Sequence, residues 1–248
     1  MPGQAVAVAQ APPKADADGR VRLPKRAWGL AASGIVGAFV GSIIGQILAQ
    51  VIAVNNKVLL TALAQAGLWA GLLLPVMLAS KWYGSGSIWR DFGIRRERHD
   101  LWRGMGFSVL GRVAGLVLVV PIIALNAKFS GSDVQSITGA KGDWPLYALM
   151  IAIALIGAPF VEELYFRGLL LRSLVPLTGT ATAIGLQAAI FASMHLKPSY
   201  GLGNVSVFLA VGVMGVVQGI IAERYRRLGP AMFSHGIYNL AAVLALIR

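Results

Sequence analysis

The sequence predicts an all-α, polytopic integral membrane protein with about seven transmembrane helices, and two observations predict it. Of 248 residues, 56% are hydrophobic and 13% charged, with a mean hydropathy of +0.70, too apolar for a soluble domain of this size. The apolar residues gather in long stretches, and the basic residues fall in short clusters between them. That distribution turns the net charge of +12 into a set of topology signals, so the lipid bilayer is an expected partner and nucleic acid is not. With no cysteine, disulfides, thiolate metal sites and thiol nucleophiles are excluded.

Residues 1–27 mix Ala, Pro, Lys, Arg and Asp without apolar periodicity and are expected to form a disordered cytoplasmic tail. The apolar run that follows, 28–54, is far longer than the core of a signal peptide and long enough to span. Within it Gly37, Gly41 and Gly45 form a small-xxx-small stripe that lets another helix approach closely; it permits a homodimer as readily as packing within the chain. Asn55, Asn56 and Lys57 mark a turn before a second span at 58–80. The basic loop 81–104 interleaves Trp82, Trp89 and Trp102 with Arg90, Arg95, Arg96, Arg98 and Arg103, a pattern suited to an anionic membrane surface. His99 reads there as a solvated histidine. A third span at 105–127, holding Arg112 and a kink at Pro121, closes the N-terminal region 28–144 with the polar loop 128–144.

Residues 145–248 contain four further apolar segments, at 145–175, 180–196, 204–222 and 230–247. With seven spans, sixteen of the 22 Lys and Arg residues fall on one side and five on the other. The positive-inside rule then places the N-terminus in the cytoplasm.

Inside the fourth apolar segment stands Glu162-Glu163-Leu164-Tyr165-Phe166-Arg167. A charge at the bilayer centre costs about 2.5–3.5 kcal/mol on insertion scales, so an ionisable pair there marks a functional site. On a helix Glu163 and Arg167 are i and i+4 and meet on one face, whereas Glu162 points about 100° away and is left for chemistry. The turn Pro176 to Thr180 folds the flanking segments into a hairpin that brings His195 opposite Glu162, provided that part of 168–180 lies outside the apolar core. In the last segment His235 and Asn239 share one helical face. Glu162, His195, His235 and Asn239 therefore converge in the cytoplasmic half of the membrane, with Glu163 and Arg167 supporting them. Each histidine alone is equally readable as a helix–helix hydrogen-bond donor and Asn239 as interhelical glue; Gln187, Gln218 and Tyr165 are read as structural.

These residue types permit water attack on an amide carbonyl. A carboxylate in low dielectric is a competent general base, and His235 with the Asn239 amide can donate to a developing oxyanion. The same residues allow a metal variant in which Glu162, His195 and His235 hold zinc and Glu163 is the base. Spacing does not choose between the two, so the cofactor is left unknown, zinc or none.

Glu162-Glu163-x-x-x-Arg167, Phe191-x-x-x-His195 and His235-x-x-x-Asn239, in that order on successive apolar helices, resemble the three motifs of the CAAX-protease and bacteriocin-processing (CPBP) family of intramembrane proteases, which includes the Ras-converting prenyl endopeptidases. The ordered set spans 146–247. The resemblance implies a catalytic helical domain at 145–248 with an intramembrane cavity open to the cytoplasm. By the same resemblance Glu162 with His195 activates water, and His235 with Asn239 forms the oxyanion site. It further implies an endopeptidase acting on a membrane-associated peptide or protein, of CAAX type if lipidated, in a bacterial inner (cytoplasmic) membrane. Two other functions use the same pocket: a non-catalytic membrane immunity or peptide-binding protein, and a proton-coupled transporter, against which stands the lack of an inverted repeat.

Overall fold

The computed structural model of the protein describes residues 19–52, 55–124 and 142–247. Among them the chain is helical, with no strand element. Helices α1 (Ala27–Ile52) and α2 (Lys57–Tyr83) are joined by so short a connection that they must run antiparallel. Asn56 starts α2 by accepting the Leu59 N–H on its side-chain oxygen at 3.0 Å, satisfying one of the free donors of the first turn. The glycine stripe holds the pair together. Gly41 lies against Gly67 and Gly37 against Gly71, so closely that a methyl group at Gly41, Gly67 or Gly71 would run into the partner's backbone and one at Gly37 would press on it at 3.1 Å. Of the two uses the stripe permits, this is packing within the chain.

A short helix α3 (Ile88–Asp91) leads to α4 (Asp100–Ala124). The next helix, α5, runs from Trp144 to Thr178, and its 35 residues would extend for roughly 50 Å at 1.5 Å each, well beyond a hydrocarbon core of about 30 Å. A helix of that length spans the core with residues to spare or at a steep tilt. Gly179, at φ +80°, is the whole turn between α5 and α6 (Thr180–Ser193), tighter than the expected five-residue turn. A single 3₁₀ turn, Pro198–Tyr200, precedes α7 (Gly203–Tyr225), and α8 (Gly229–Ile247) follows. Helix α7 packs on α6, and α4 lies against both α7 and α8.

Among the described residues five helices, α1, α2, α4, α5 and α7, are long and apolar enough to cross a membrane. The protein is an all-α polytopic membrane protein. The expected total of seven requires α6, at 14 residues, and α8 to be counted as well.

The N-terminal boundary differs from expectation. Residues 1–18 of the expected tail lie outside the described residues, but 19–26 are packed: Val21 and Leu23 are buried in the main apolar cluster, and the Val21 N–H donates to the Asp91 carbonyl at 3.0 Å. Period-free composition missed this because only two apolar side chains and a few main-chain bonds anchor the segment. The basic loop is likewise a folded cap. The buried Asp91 carboxylate accepts from Ser80 Oγ at 2.5 Å, Ser85 Oγ at 2.8 Å and Ser85 N–H at 3.0 Å. Arg227 pairs with Asp100 and, at 2.8 Å, with Glu97. Most of the polar loop expected at 128–144 lies outside the described residues.

Candidate active site

Two stretches of α5, Ile153–Gly157 and Glu163–Leu170, are wound as π-helix, with the second beginning at the second glutamate. The wider i→i+5 turn re-aims side chains relative to an α-helix, and such segments are frequent at functional sites. All eight residues of the second stretch are buried. Its position is held on one side by α1, where Tyr165 Oη donates to the Ala31 carbonyl, and on the other by the T-shaped contact of Phe166 with Phe191, 4.9 Å between centroids.

The expected pair forms: Arg167 Nη1 donates to Glu163 Oε1 at 3.0 Å, with both side chains fully buried. The geometry around it is richer than i,i+4 spacing foresees. The same Glu163 oxygen lies 2.8 Å from His235 Nδ1. Because Glu163 already faces a guanidinium, it is the ionised acceptor, and Nδ1 carries the hydrogen. The other imidazole nitrogen, Nε2, is 3.9 Å from Glu162 Oε2. His235 therefore stands between both glutamates, which the assumption of a regular α-helix had set some 100° apart. The pair also differs in burial: the Glu162 side chain retains 16% of its exposure and that of Glu163 none, although the Glu162 Oε2 that faces His235 is itself buried.

His195 lies just past the end of α6, with Nδ1 2.8 Å from the carbonyl of Phe191. This turns Nε2 away from its own helix. The Phe191 ring is 4.6 Å from His195, 6.1 Å from His235 and 4.5 Å from the Arg167 guanidinium, so one aromatic side chain shapes the space around both histidines and screens the buried cation. Asn239 donates from Nδ2 to the Ala154 carbonyl, in the first π-helical stretch, at 2.8 Å. One amide hydrogen is committed to this bond and the second remains for another acceptor. Asn239 thereby clamps α8 to α5 one helical turn from His235.

Two glutamines read as structural glue touch the backbone of this assembly. Gln187 donates to the Gly215 carbonyl at 2.8 Å, the same oxygen that Arg167 Nη2 reaches at 3.4 Å. Gln218, with its amide oriented to satisfy both ends, accepts the His235 backbone N–H at 3.1 Å and donates to the Ala231 carbonyl at 3.2 Å. Their isolated positions in apolar helices were visible in the sequence; their targets, being main-chain atoms, were not. On the far side Arg112 donates to the Tyr238 carbonyl and lies 4.3 Å over its ring, fixing α4 against α8.

The donor set bears on zinc. Among the described residues no three His, Asp or Glu side chains are placed to share a metal ion, so Glu162, His195 and His235 as arranged do not fit one.

No curated protein and no solved structure matches the chain. A family model does match: residues 144–241, from the start of α5 through Asn239 on α8, are similar to the family described as type II CAAX prenyl endopeptidase Rce1-like, and the match spans all three motifs.

Proposed function

We propose that the protein is an intramembrane endopeptidase that hydrolyses a peptide bond of a membrane-associated protein or peptide, with Glu162 as the base that activates water. The observation that carries this reading is the position of His235, hydrogen-bonded through Nδ1 to a buried, arginine-paired Glu163 and facing the carboxylate of the less deeply buried Glu162 through Nε2. A separation of 3.9 Å is too long for a direct hydrogen bond and short enough for one water to reach both atoms.

In this mechanism Glu162 takes a proton from that water as oxygen attacks the amide carbon. Arg167 and Glu163 do no chemistry. They fix which nitrogen of His235 carries its hydrogen and how the ring is oriented, as a carboxylate partner does for a working histidine generally. The tetrahedral oxyanion is met by the remaining Asn239 amide hydrogen and, once Nε2 has gained the proton relayed through Glu162, by His235. Glu162 is a carboxylate again once it has relayed the proton, which passes from His235 Nε2 to the leaving amine as the C–N bond breaks. His195 contributes through Nε2 to holding the water or the peptide beside Phe191.

The test compares cells lacking the protein, complemented at matched membrane abundance with wild type or Glu162→Gln, by mass spectrometry of the termini of membrane proteins and peptides. New termini appearing with wild type alone support proteolysis and name the substrate. A Glu162→Gln strain that shows the same termini sinks the mechanism, and one that rescues a null phenotype without them favours the binding or immunity role.

A further inference from the structure

Pro159 stands in the middle of α5, three residues before Glu162, in a helix apolar enough to span. Proline has no N–H, so inside a helix it leaves one main-chain carbonyl without its donor. Which carbonyl depends on the winding: an α-turn strands the one four residues back, Leu155, and a π-turn the one five back, Ala154. The Ala158 N–H donates to the Ile153 carbonyl, so the winding just before Pro159 is π and the next acceptor in that ladder is Ala154. This is the oxygen that the Asn239 amide reaches at 2.8 Å. A carbonyl left unpaired in apolar surroundings costs free energy, and Asn239 supplies the missing donor.

The facing helix adds an independent observation. Gly236, between His235 and Asn239 on α8, lies against the same point of α5: a methyl group there would meet the Leu155 carbonyl at 3.0 Å and Pro159 Cγ at 3.8 Å. Helix α8 thus rests its backbone on the proline and on the carbonyls beside it, with no side chain between them. That close approach brings Asn239 within reach of Ala154.

We propose that Pro159 is a positioning residue for the reaction: by leaving the Ala154 carbonyl without a main-chain donor it commits one hydrogen of the Asn239 amide and thereby aims the other at the space beside His235 and Glu162. The amide group is planar, so fixing the direction of one N–H fixes that of its twin. Pro159 itself touches no reacting atom, and the inference rests on the reading of Asn239 as an oxyanion donor. Alanine at 159 restores an N–H, which either donates to the Ala154 oxygen or closes an α-turn onto Leu155. In both cases the main chain competes with Asn239 for its anchor.

The experiment reads Asn239 directly and cleavage separately. Full-length protein labelled with nitrogen-15 asparagine is studied by NMR in detergent micelles, and the Asn239 side-chain signals are assigned by their loss in Asn239→Asp. Cleavage is the rate at which new C-termini appear, per folded protein, in proteoliposomes supplied with membrane proteins from cells lacking the protein. Pro159→Ala is expected to shift the two Asn239 amide hydrogens and to lower the cleavage rate about 10²-fold. Its melting temperature is expected to equal or exceed that of wild type, since a proline has left a helix interior, an outcome that separates positioning from mere support of the fold. Pro176→Ala, which restores an N–H farther along the same helix, is expected to keep the amide signals and the cleavage of wild type. If Pro159→Ala leaves the Asn239 signals unchanged, if Pro176→Ala moves them as far, or if the signals move while cleavage is retained, the proposal is overturned. If wild type generates no new termini, the protease reading fails, and the amide signals alone decide whether Pro159 places Asn239.

Discussion

The α1–α2 hairpin and the α5–α8 contact solve the same problem, joining two helices in an apolar medium, by opposite means. Between α1 and α2 the contact is backbone against backbone: Gly37, Gly41, Gly67 and Gly71 remove side chains so that the helices nearly touch. Van der Waals contact suffices there, because lipid competes poorly with a surface that fits. Between α5 and α8 the contact is ionic and hydrogen-bonded, through Glu163, Arg167, His235 and Asn239, with the first three buried. A buried ion pair is a poor way to gain stability, since desolvation offsets most of its attraction. A chain that has the glycine solution at one interface and uses charges at another keeps the charges for what they do. On the proposed mechanism the second interface is the working one.

The sharpest way to break that contrast is at Glu162. Replacing it with Gln removes the base and leaves Glu163, Arg167 and His235 as they are, so cleavage is expected to fall by about 10²–10⁴-fold with melting temperature and membrane abundance unchanged. Asn239→Ala sharpens it next. Loss of an oxyanion donor lowers kcat by about 10²–10³-fold, and loss of its bond to Ala154 also loosens α8, so a smaller drop accompanied by unfolding would assign Asn239 to packing alone.

Glu163→Gln probes the other half of the pair. It strands a fully buried Arg167 and removes the carboxylate that orients His235, a change expected to destabilise the fold by about 3–5 kcal/mol in denaturant titrations and to reduce activity both through the loss of folded protein and through a misoriented His235. The two adjacent glutamates are thus separable by experiment: one loses activity without stability, the other stability first. At the hairpin, Gly41→Leu drives a side chain into the α2 backbone at Gly67 and is expected to cost about 1–3 kcal/mol, with the remaining folded protein fully active. A Gly41→Leu protein that is stable but inactive would couple the hairpin to the site and dissolve the distinction. The smallest effect is at Arg112→Met, about 1 kcal/mol for one lost hydrogen bond to the Tyr238 carbonyl and its ring contact.

What the sequence showed and what it hid follow from one property, whether the signal is carried by a side chain or by backbone geometry. Glu162, Glu163, Arg167, His195, His235 and Asn239 were legible because polar groups in apolar helices stand out against their cost. So was the glycine stripe, although its partner helix was not. Hidden were the π-helical turns at Ile153–Gly157 and Glu163–Leu170, which no residue type announces and which let His235 address both glutamates. The folded cap was hidden too: Val21 and Asp91 meet through main-chain atoms, and Arg172 is satisfied by carbonyls, so a basic loop with a polar tail looked solvated. Charge counting gave a side to the loops and no information about their mutual packing.

The central claim, that Glu162 directs water onto a peptide bond, has a direct test in oxygen-18-labelled water. Wild type and Glu162→Gln, reconstituted in proteoliposomes, are incubated with membrane proteins from cells lacking the protein, and new C-termini are sequenced by mass spectrometry. The account predicts that wild type generates C-termini carrying the heavy oxygen and that Glu162→Gln generates none above background. Labelled termini appearing at equal rates with both proteins, or with neither, would contradict it.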